Sequence, residues 1–270
     1  MTPDQAWELI LQQRHHPDEG SENWHVRQPV SDADWAVQLL QLFGPLVQAL
    51  PASQPQQIIA QMGQSLDGRI ATITGNSRYI NGEDGLVHLH RMRAVSDAVL
   101  VGSGTASADN PRLTVRLTTG PNPVRVLVDR HRRVPEDHHL FNDGAAPTLH
   151  LVAGRFNPAT LPATLSAGVY EIPCLSDEEG PIDPTEVLRV LLRLGLKRIF
   201  VEGGGQTVST FLRAGLVDRL HVLVAPMIIG SGQPAFSLPE IDSLGDALRP
   251  AANMVNLGSD MLFDLDFSGR

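Results

Sequence analysis

One cysteine, Cys174, stands in 270 residues. An internal disulfide and a cysteine-rich zinc site are therefore both excluded. Nothing beside Cys174 would lower a thiol pKa, so it reads as a buried or incidental thiol rather than a nucleophile. Positive charge is scarce too: 30 acidic residues against 21 basic ones give a net charge of -9. General nucleic-acid binding wants a basic face, which this balance argues against, while a local basic pocket for an anionic ligand stays open. No apolar run reaches membrane-spanning length. Met1 to Leu11 has neither the basic start nor the apolar stretch of a signal peptide. A soluble cytoplasmic protein is expected, with neither nucleic acid nor membrane as a partner. Internal repeats and low-complexity segments are also missing.

What is present is 42% hydrophobic content, enough for one large α/β domain with an appendage. Residues 1–56 differ from the rest. They hold all three tryptophans, Trp7, Trp24 and Trp35. Asp34 to Phe43 has helical spacing of apolar groups, with Ser31-Asp32 able to cap it and Gly44-Pro45 able to end it. Pro51-Ala52-Ser53-Gln54-Pro55 reads as a linker. The segment is predicted to be a small helical extension without chemistry of its own. His15-His16 and His25 match no metal-ligand spacing, and no metal is expected.

From residue 57 short β-rich runs alternate with helical stretches. Strands are predicted at Ile58–Met62, Ala98–Gly102, Val124–Asp129, Thr148–Val152, Arg198–Glu202, Leu220–Ile229 and Met261–Phe267. Helices are predicted over Asp84–Val95, over Pro184–Leu194 with Asp183 as cap, and from the Gly203-Gly204-Gly205 turn through Ala214. Strands separated by helices argue for a mainly parallel sheet covered on both faces, with antiparallel strands added near the end of the chain.

Two glycine clusters follow strands. Glu202-Gly203-Gly204-Gly205-Gln206-Thr207 leads from a strand into a helix, where close backbone approach and free N–H groups suit a pyrophosphate. A tight turn alone would need one or two glycines, not three. Val101-Gly102-Ser103-Gly104-Thr105 also ends a strand; taken singly it is an ambiguous signal, but ligands of open α/β sheets gather at that edge. Arg93, Arg116 and Ser77 form a candidate phosphate site, because guanidinium groups hold phosphate through paired hydrogen bonds. In Asp129-Arg130-His131-Arg132-Arg133, arginines after a strand suit the 2′-phosphate of NADPH, and a solvated turn explains them equally well. Ser65-Leu66-Asp67-Gly68-Arg69 offers either a proton donor in Asp67 or an Asp-Gly turn, and the spacing favours the turn.

Together these residues resemble the reductase domain of riboflavin biosynthesis, the C-terminal half of bacterial bifunctional deaminase-reductases. The resemblance spans roughly residues 57–267. It is carried by Ser65-Leu66-Asp67-Gly68-Arg69-Ile70-Ala71, Leu89-His90-Arg91-Met92-Arg93-Ala94, Gly104-Thr105, Ala108 to Arg116, Val201-Glu202-Gly203-Gly204, Gly215 to Asp218 and Ala225-Pro226. It implies a dihydrofolate-reductase-like three-layer α/β/α fold with a mainly parallel mixed sheet, a homodimer, and NADPH as cofactor. It implies cofactor contacts at Gly63, Tyr79, Thr105 and Asp109 and at Gly204, Gly205, Gln206, Thr207, Val208, Ser209 and Thr210. Substrate contacts fall on Ser77, Arg93, Leu113 and Arg116, with Glu202 near the reacting sugar as the candidate catalytic group.

Three departures from the family pattern stand out. Residues 1–56 carry no zinc-binding His-x-Glu and no Pro-Cys-x-x-Cys, so the division is 57–270 for the reductase domain and 1–56 for an extension with no deaminase. Gln61 stands where many bacterial reductases have a lysine near the substrate sugar. Arg130 stands where a small hydroxyl residue is usual beside the cofactor. The implied activity is NADPH-dependent reduction of the ribosyl group of 5-amino-6-(5-phosphoribosylamino)uracil to the ribityl product. Alternatives are reduction of another small carbonyl or pterin-like compound, and a non-catalytic nucleotide-binding paralogue whose extension docks a partner.

Overall fold

A computed structural model describes residues 1–17, 35–78, 80–178 and 180–268. Its centre is a nine-stranded sheet. In chain order the strands are β1 (Gln57–Ser65), β3 (Ala98–Gly102), β4 (Val124–Val128), β5 (Pro147–Ala153), β6 (Gly168–Leu175), β7 (Arg198–Glu202), β8 (Arg219–Ala225), β10 (Ala251–Leu257) and β11 (Asp260–Asp266). They lie in the order β10-β11-β8-β1-β7-β3-β4-β5-β6, and a separate ribbon pairs β2 (Arg69–Ala71) with β9 (Gln233–Pro234). Only β11 runs against its neighbours in the large sheet, and it does so with both β8 and β10.

Both faces of the sheet's centre are covered, so β1, β3 and β7 read as continuous apolar runs. Alternate residues nevertheless serve different cores. Ile58, Ala60 and Met62 of β1, Leu100 of β3 and Val201 of β7 join one core. That core is shared with α6 (Pro184–Arg193) and α7 (Gly205–Arg213) through Val187, Leu191, Val208 and Phe211. Ile59, Val99 and Phe200 face the opposite core. There they meet α1 (Pro3–His15), α2 (Trp35–Val47) and α3 (Glu83–Val95) through Trp7, Ile10, Leu39, Phe43 and Met92. The first two helices are thus built into one outer layer of this subunit.

Local chemistry explains most boundaries. Thr2 and Gln5 make a capping box ahead of Pro3, starting α1. Asp183 accepts from the Thr185 N–H at 2.8 Å and starts α6. Gly195 then adopts φ 76, which ends it.

Two sequence expectations are corrected. Gly44-Pro45 does not end α2, which continues to Val47. A proline in the last turn costs few helical bonds, and Leu46 and Val47 are fully buried. The Arg198 guanidinium closes the end by donating to the Leu46, Val47 and Gln48 carbonyls at 2.8–3.2 Å. Conversely, β8 stops at Ala225 rather than Ile229. Pro226 cannot donate to a ladder, and the Ile229 and Gly230 N–H groups turn instead to Asp67. The cap expected at Ser31-Asp32 lies outside the described residues. Strands β6 and β10 and the short helix α4 (Ser103–Asp109) went unread in the sequence.

Candidate active site

The carboxyl ends of β1, β3 and β7 open into a cleft of about 790 Å³. Gln61, Gly63, Ser77, Thr105, Asp109, Glu202, Gly204, Gly205, Gln206 and Thr207 all line it, from four separate stretches of chain. Strand pairing does the gathering: β1 and β7 run parallel with Gln61 opposite Glu202. Tyr79 lies outside the described residues.

The β7–α7 turn is shaped for close approach. Gly203 and Gly204 adopt φ 62 and 72, a conformation that favours glycine. A Cβ on Gly204 would sit 2.6 Å from Thr105 Oγ1, and one on Gly102 the same distance from Thr207 Oγ1. Thr105 and Thr207 therefore each pack against the glycine of the opposite turn, and the two strand-to-helix turns meet at the cleft wall. The α7 N-terminus offers unpaired N–H groups there, the chemistry a pyrophosphate needs. Gly63 likewise leaves room for Asn81, whose amide donates to the Leu223 carbonyl at 3.4 Å.

Glu202 and Arg93 come together from 109 residues apart. Arg93 Nε donates to Glu202 Oε2 at 2.7 Å and Arg93 Nη2 to Oε1 at 2.5 Å. Nη1 of the same guanidinium donates to the Thr114 carbonyl at 2.9 Å. Arg93 is only 4% exposed and is not part of the cleft lining. The family resemblance puts Arg93 at the substrate phosphate; here its buried guanidinium is neutralised by Glu202 and hydrogen-bonded to the Thr114 carbonyl.

Arg116 differs. It is exposed; its Nη1 donates to the Thr114 hydroxyl at 2.7 Å and, more weakly, to the Thr114 carbonyl at 3.3 Å. The segment around it carries a guanidinium still open to an anion. His90, unremarked in the sequence except as part of a motif, holds this segment: the Arg116 main-chain N–H donates to His90 Nδ1 at 2.8 Å. Burial, then the charges of Arg93 and Arg116, bring the His90 pKa down to about 4. The imidazole is therefore neutral near pH 7 and Nδ1 is free to accept. Asp109, on the cleft wall, is pushed upward by burial and by Glu202, with Arg78 opposing.

Other candidates sit elsewhere. Leu113 is fully buried with φ 53, so its side chain is core and only its backbone could meet a ligand. Val208 is core and Thr210 bonds back to the Gln206 carbonyl. The Ser209 hydroxyl accepts from the Ser237 N–H at 2.8 Å. On a helix, successive side chains cannot all face one cleft. Arg130, read as a 2′-phosphate contact, is 8% exposed and donates to the carbonyls of Glu178 and Gly180. Buried donors take the acceptors within reach, and here those belong to a loop. Asp67 joins its turn to the 226–230 segment. The Ser65 hydroxyl, then the N–H groups of Ile229 and Gly230, hold its pKa at about 2. Gln61 is 7% exposed, and its Oε1 finds no hydrogen-bond partner among the described residues.

A mostly parallel α/β/α sheet with a glycine-walled cleft at its carboxyl edge and an arginine-rich cluster beside it defines the class of protein. Within that class, the RibD C-terminal domain model matches residues 56–263, and the chain belongs to that family. The 2,5-diamino-6-ribosylamino-4(3H)-pyrimidinone 5′-phosphate reductase of Methanothermobacter thermautotrophicus is 35% identical over 219 residues, covering 78% of this chain and 98% of that one. The riboflavin biosynthesis protein RibD of Bacillus amyloliquefaciens is 37% identical over 167 residues, 62% of this chain and 44% of that one. The crystal structure of a diaminohydroxyphosphoribosylaminopyrimidine deaminase/5-amino-6-(5-phosphoribosylamino)uracil reductase from Thermotoga maritima superposes with a TM-score of 0.63 at 26% identity. It spans 86% of this chain and 61% of that one. The chain thus covers roughly half the length of the Bacillus relative and nearly all of the archaeal one.

Proposed function

We propose that this oxidoreductase catalyses NADPH-dependent reduction of the ribosyl group of 5-amino-6-(5-phosphoribosylamino)uracil to the ribityl product, a step of riboflavin biosynthesis. The observation that carries the reading is a cleft that brings the Gly203-Gly204-Gly205 turn and Glu202 together, with Glu202 bonded in turn to Arg93 and so to the Thr114–Arg116 segment behind it. Gly204, Gly205, Gln206 and Thr207, with Thr105, Asp109 and Gly63, would hold the nicotinamide dinucleotide, and the α7 N-terminus on the cleft wall suits its pyrophosphate. When bound, NADPH supplies the hydride that reduces C1 of the sugar in its open, carbonyl-like form. Arg116 and Ser77 bind the 5-phosphate, and that remote contact orients the sugar. Arg93 fixes Glu202, and Glu202 orients a sugar hydroxyl. The sugar oxygen freed from the ring takes one proton, a transfer that Glu202 would assist.

A second reading keeps the chemistry and changes the ring. The archaeal relative matched over nearly its whole length is named for the 2,5-diamino pyrimidinone phosphate, and the unpartnered Gln61 Oε1 needs a donor such as an amino group. NADPH oxidation followed by its near-ultraviolet absorbance, with each pyrimidine in turn and with NADH as control, separates these readings. Turnover of neither would sink both.

Residues 57–270 are proposed as the reductase domain and 1–56 as an extension that does not deaminate. A cytoplasmic homodimer is proposed as well. Support for the dimer is an open, largely apolar face of about 700 Å³ over β8 and β11, including Val222, Val224, Met261 and Phe263. Its outer strand, β10, carries no charged residue, which leaves an unprotected edge.

A further inference from the structure

Helix α1 lies outside the matched family segment, which begins at residue 56, yet it reaches the segment that carries Arg116. Trp7 is 4% exposed, and its indole Nε1–H donates to the Thr119 carbonyl at 3.0 Å, across 112 residues of chain. The indole is itself held in place. Phe43 meets it edge-on with ring centroids 5.3 Å apart, and the Arg91 guanidinium lies 5.5 Å over its ring. Just beyond, Gly120 adopts φ 142, and a Cβ there would sit 2.6 Å from Ala94 Cβ and 3.5 Å from Leu11 Cδ2. The segment is therefore pressed onto α3 more closely than a side chain permits, with Leu11 of α1 in ordinary contact beside it. At its other end His90 Nδ1 takes the Arg116 N–H, and Leu113 is buried in the core.

We propose that α1 is a brace for the anion-binding segment 113–120, with Trp7 as a positioning residue for Arg116. This rests on the reading of Arg116 as the phosphate contact. A segment held at Leu113, at Arg116 and at Thr119-Gly120 presents the exposed guanidinium from a fixed main chain. The ordering cost is then met during folding rather than on binding. The brace touches neither the β7–α7 turn nor Glu202, so it acts on affinity for the phosphorylated end of the substrate and leaves the cofactor and the hydride step alone.

The test is steady-state kinetics of the full chain at saturating NADPH, using the phosphorylated pyrimidine and its dephosphorylated counterpart. Trp7→Phe keeps an aromatic ring against Phe43 but removes the N–H donor together with part of the indole's packing; Arg116→Ala removes the anchor. The expected result for Trp7→Phe is a rise in KM for the phosphorylated substrate of about fivefold, the size of one ordinary hydrogen bond. Its kcat and its KM for the dephosphorylated compound stay as they were. A raised KM in Arg116→Ala with none in Trp7→Phe overturns the brace and leaves Arg116 as the anchor. An unchanged KM in both overturns the anchor and the brace with it. Equal losses on both substrates in Trp7→Phe mean general loosening and also overturn the brace. Amide hydrogen exchange gives a second reading without substrate: Trp7→Phe is expected to speed exchange over 113–120 and not in β1 or β7. Unchanged exchange in that segment overturns the proposal.

Discussion

Glu202 commits one lone pair of each carboxylate oxygen to Arg93, at 2.5 and 2.7 Å, while its side chain still faces the cleft. The pair is mostly buried, with 5% and 13% of the two side chains exposed. Removing one charge from such a pair leaves the other uncompensated, a cost of about 3 kcal/mol. Glu202→Gln is therefore expected to lower the melting temperature, and to lower kcat/KM by about 100-fold, because the group proposed to orient the sugar loses its own anchor. An unchanged kcat/KM would remove Glu202 from the reaction. His88 and His90 make the stability depend on pH. Burial holds both below the usual imidazole pKa, His90 at about 4 and His88 well below the ordinary value. The unfolded chain takes these protons near pH 6.5, while the native protein refuses them until the pH is far lower. Stability from these two groups is thus fully present above about pH 6.5 and is lost as the pH falls toward 4. A melting-temperature profile checks this, and His90→Asn, whose amide oxygen can replace Nδ1 as acceptor, is expected to flatten part of the slope.

At the scale of elements, the β7–α7 junction is where packing and the candidate cofactor site meet. Gly205 opens α7 against the 234–235 segment, and a Cβ there would sit 2.6 Å from the Ala235 carbonyl oxygen and 3.0 Å from that of Pro234. Both are backbone atoms and cannot swing away. Gly205→Ala is expected to cost about 1–3 kcal/mol of stability by overpacking and to weaken NADPH binding about tenfold, because the helix N-terminus must back away from its ligand. Calorimetric titration with NADPH beside a thermal melt checks both; intact affinity would mean the turn is only a turn. The three glycines marked this junction in the sequence, since consecutive glycines before a helix have few other uses. The residues after them were less legible. Family likeness had carried Gly204 through Thr210 as one block, but helical rotation turns Val208 into the core and Ser209 toward Ser237.

For the molecule as a whole, the open face over β8, β10 and β11 is the test of association. Met261 is 38% exposed there and Met254 70%, and an apolar patch beside an uncharged edge strand invites a second copy. Met261→Glu is expected to convert dimer to monomer in sedimentation, with little change in the melt of the monomer itself. A wild-type chain that sediments as a monomer would remove the proposal.

The sequence by itself determined the layers and the edge of the sheet where ligands gather. Apolar periodicity, capping residues and turn glycines act over a few residues, so Ala98–Gly102, Arg198–Glu202 and the Asp183 cap could be read from neighbours alone. Tertiary structure decided what each charged side chain does, because partners are chosen by burial and by strand order. Arg93 and Arg116 have the same chemistry in sequence; one is buried against Glu202 and the other is left exposed. Arg130 went to loop carbonyls, and Arg198 to the end of α2. Trp7 met the Arg116 segment for the same reason: a buried indole must find an acceptor, and only the folded chain brings Thr119 within reach.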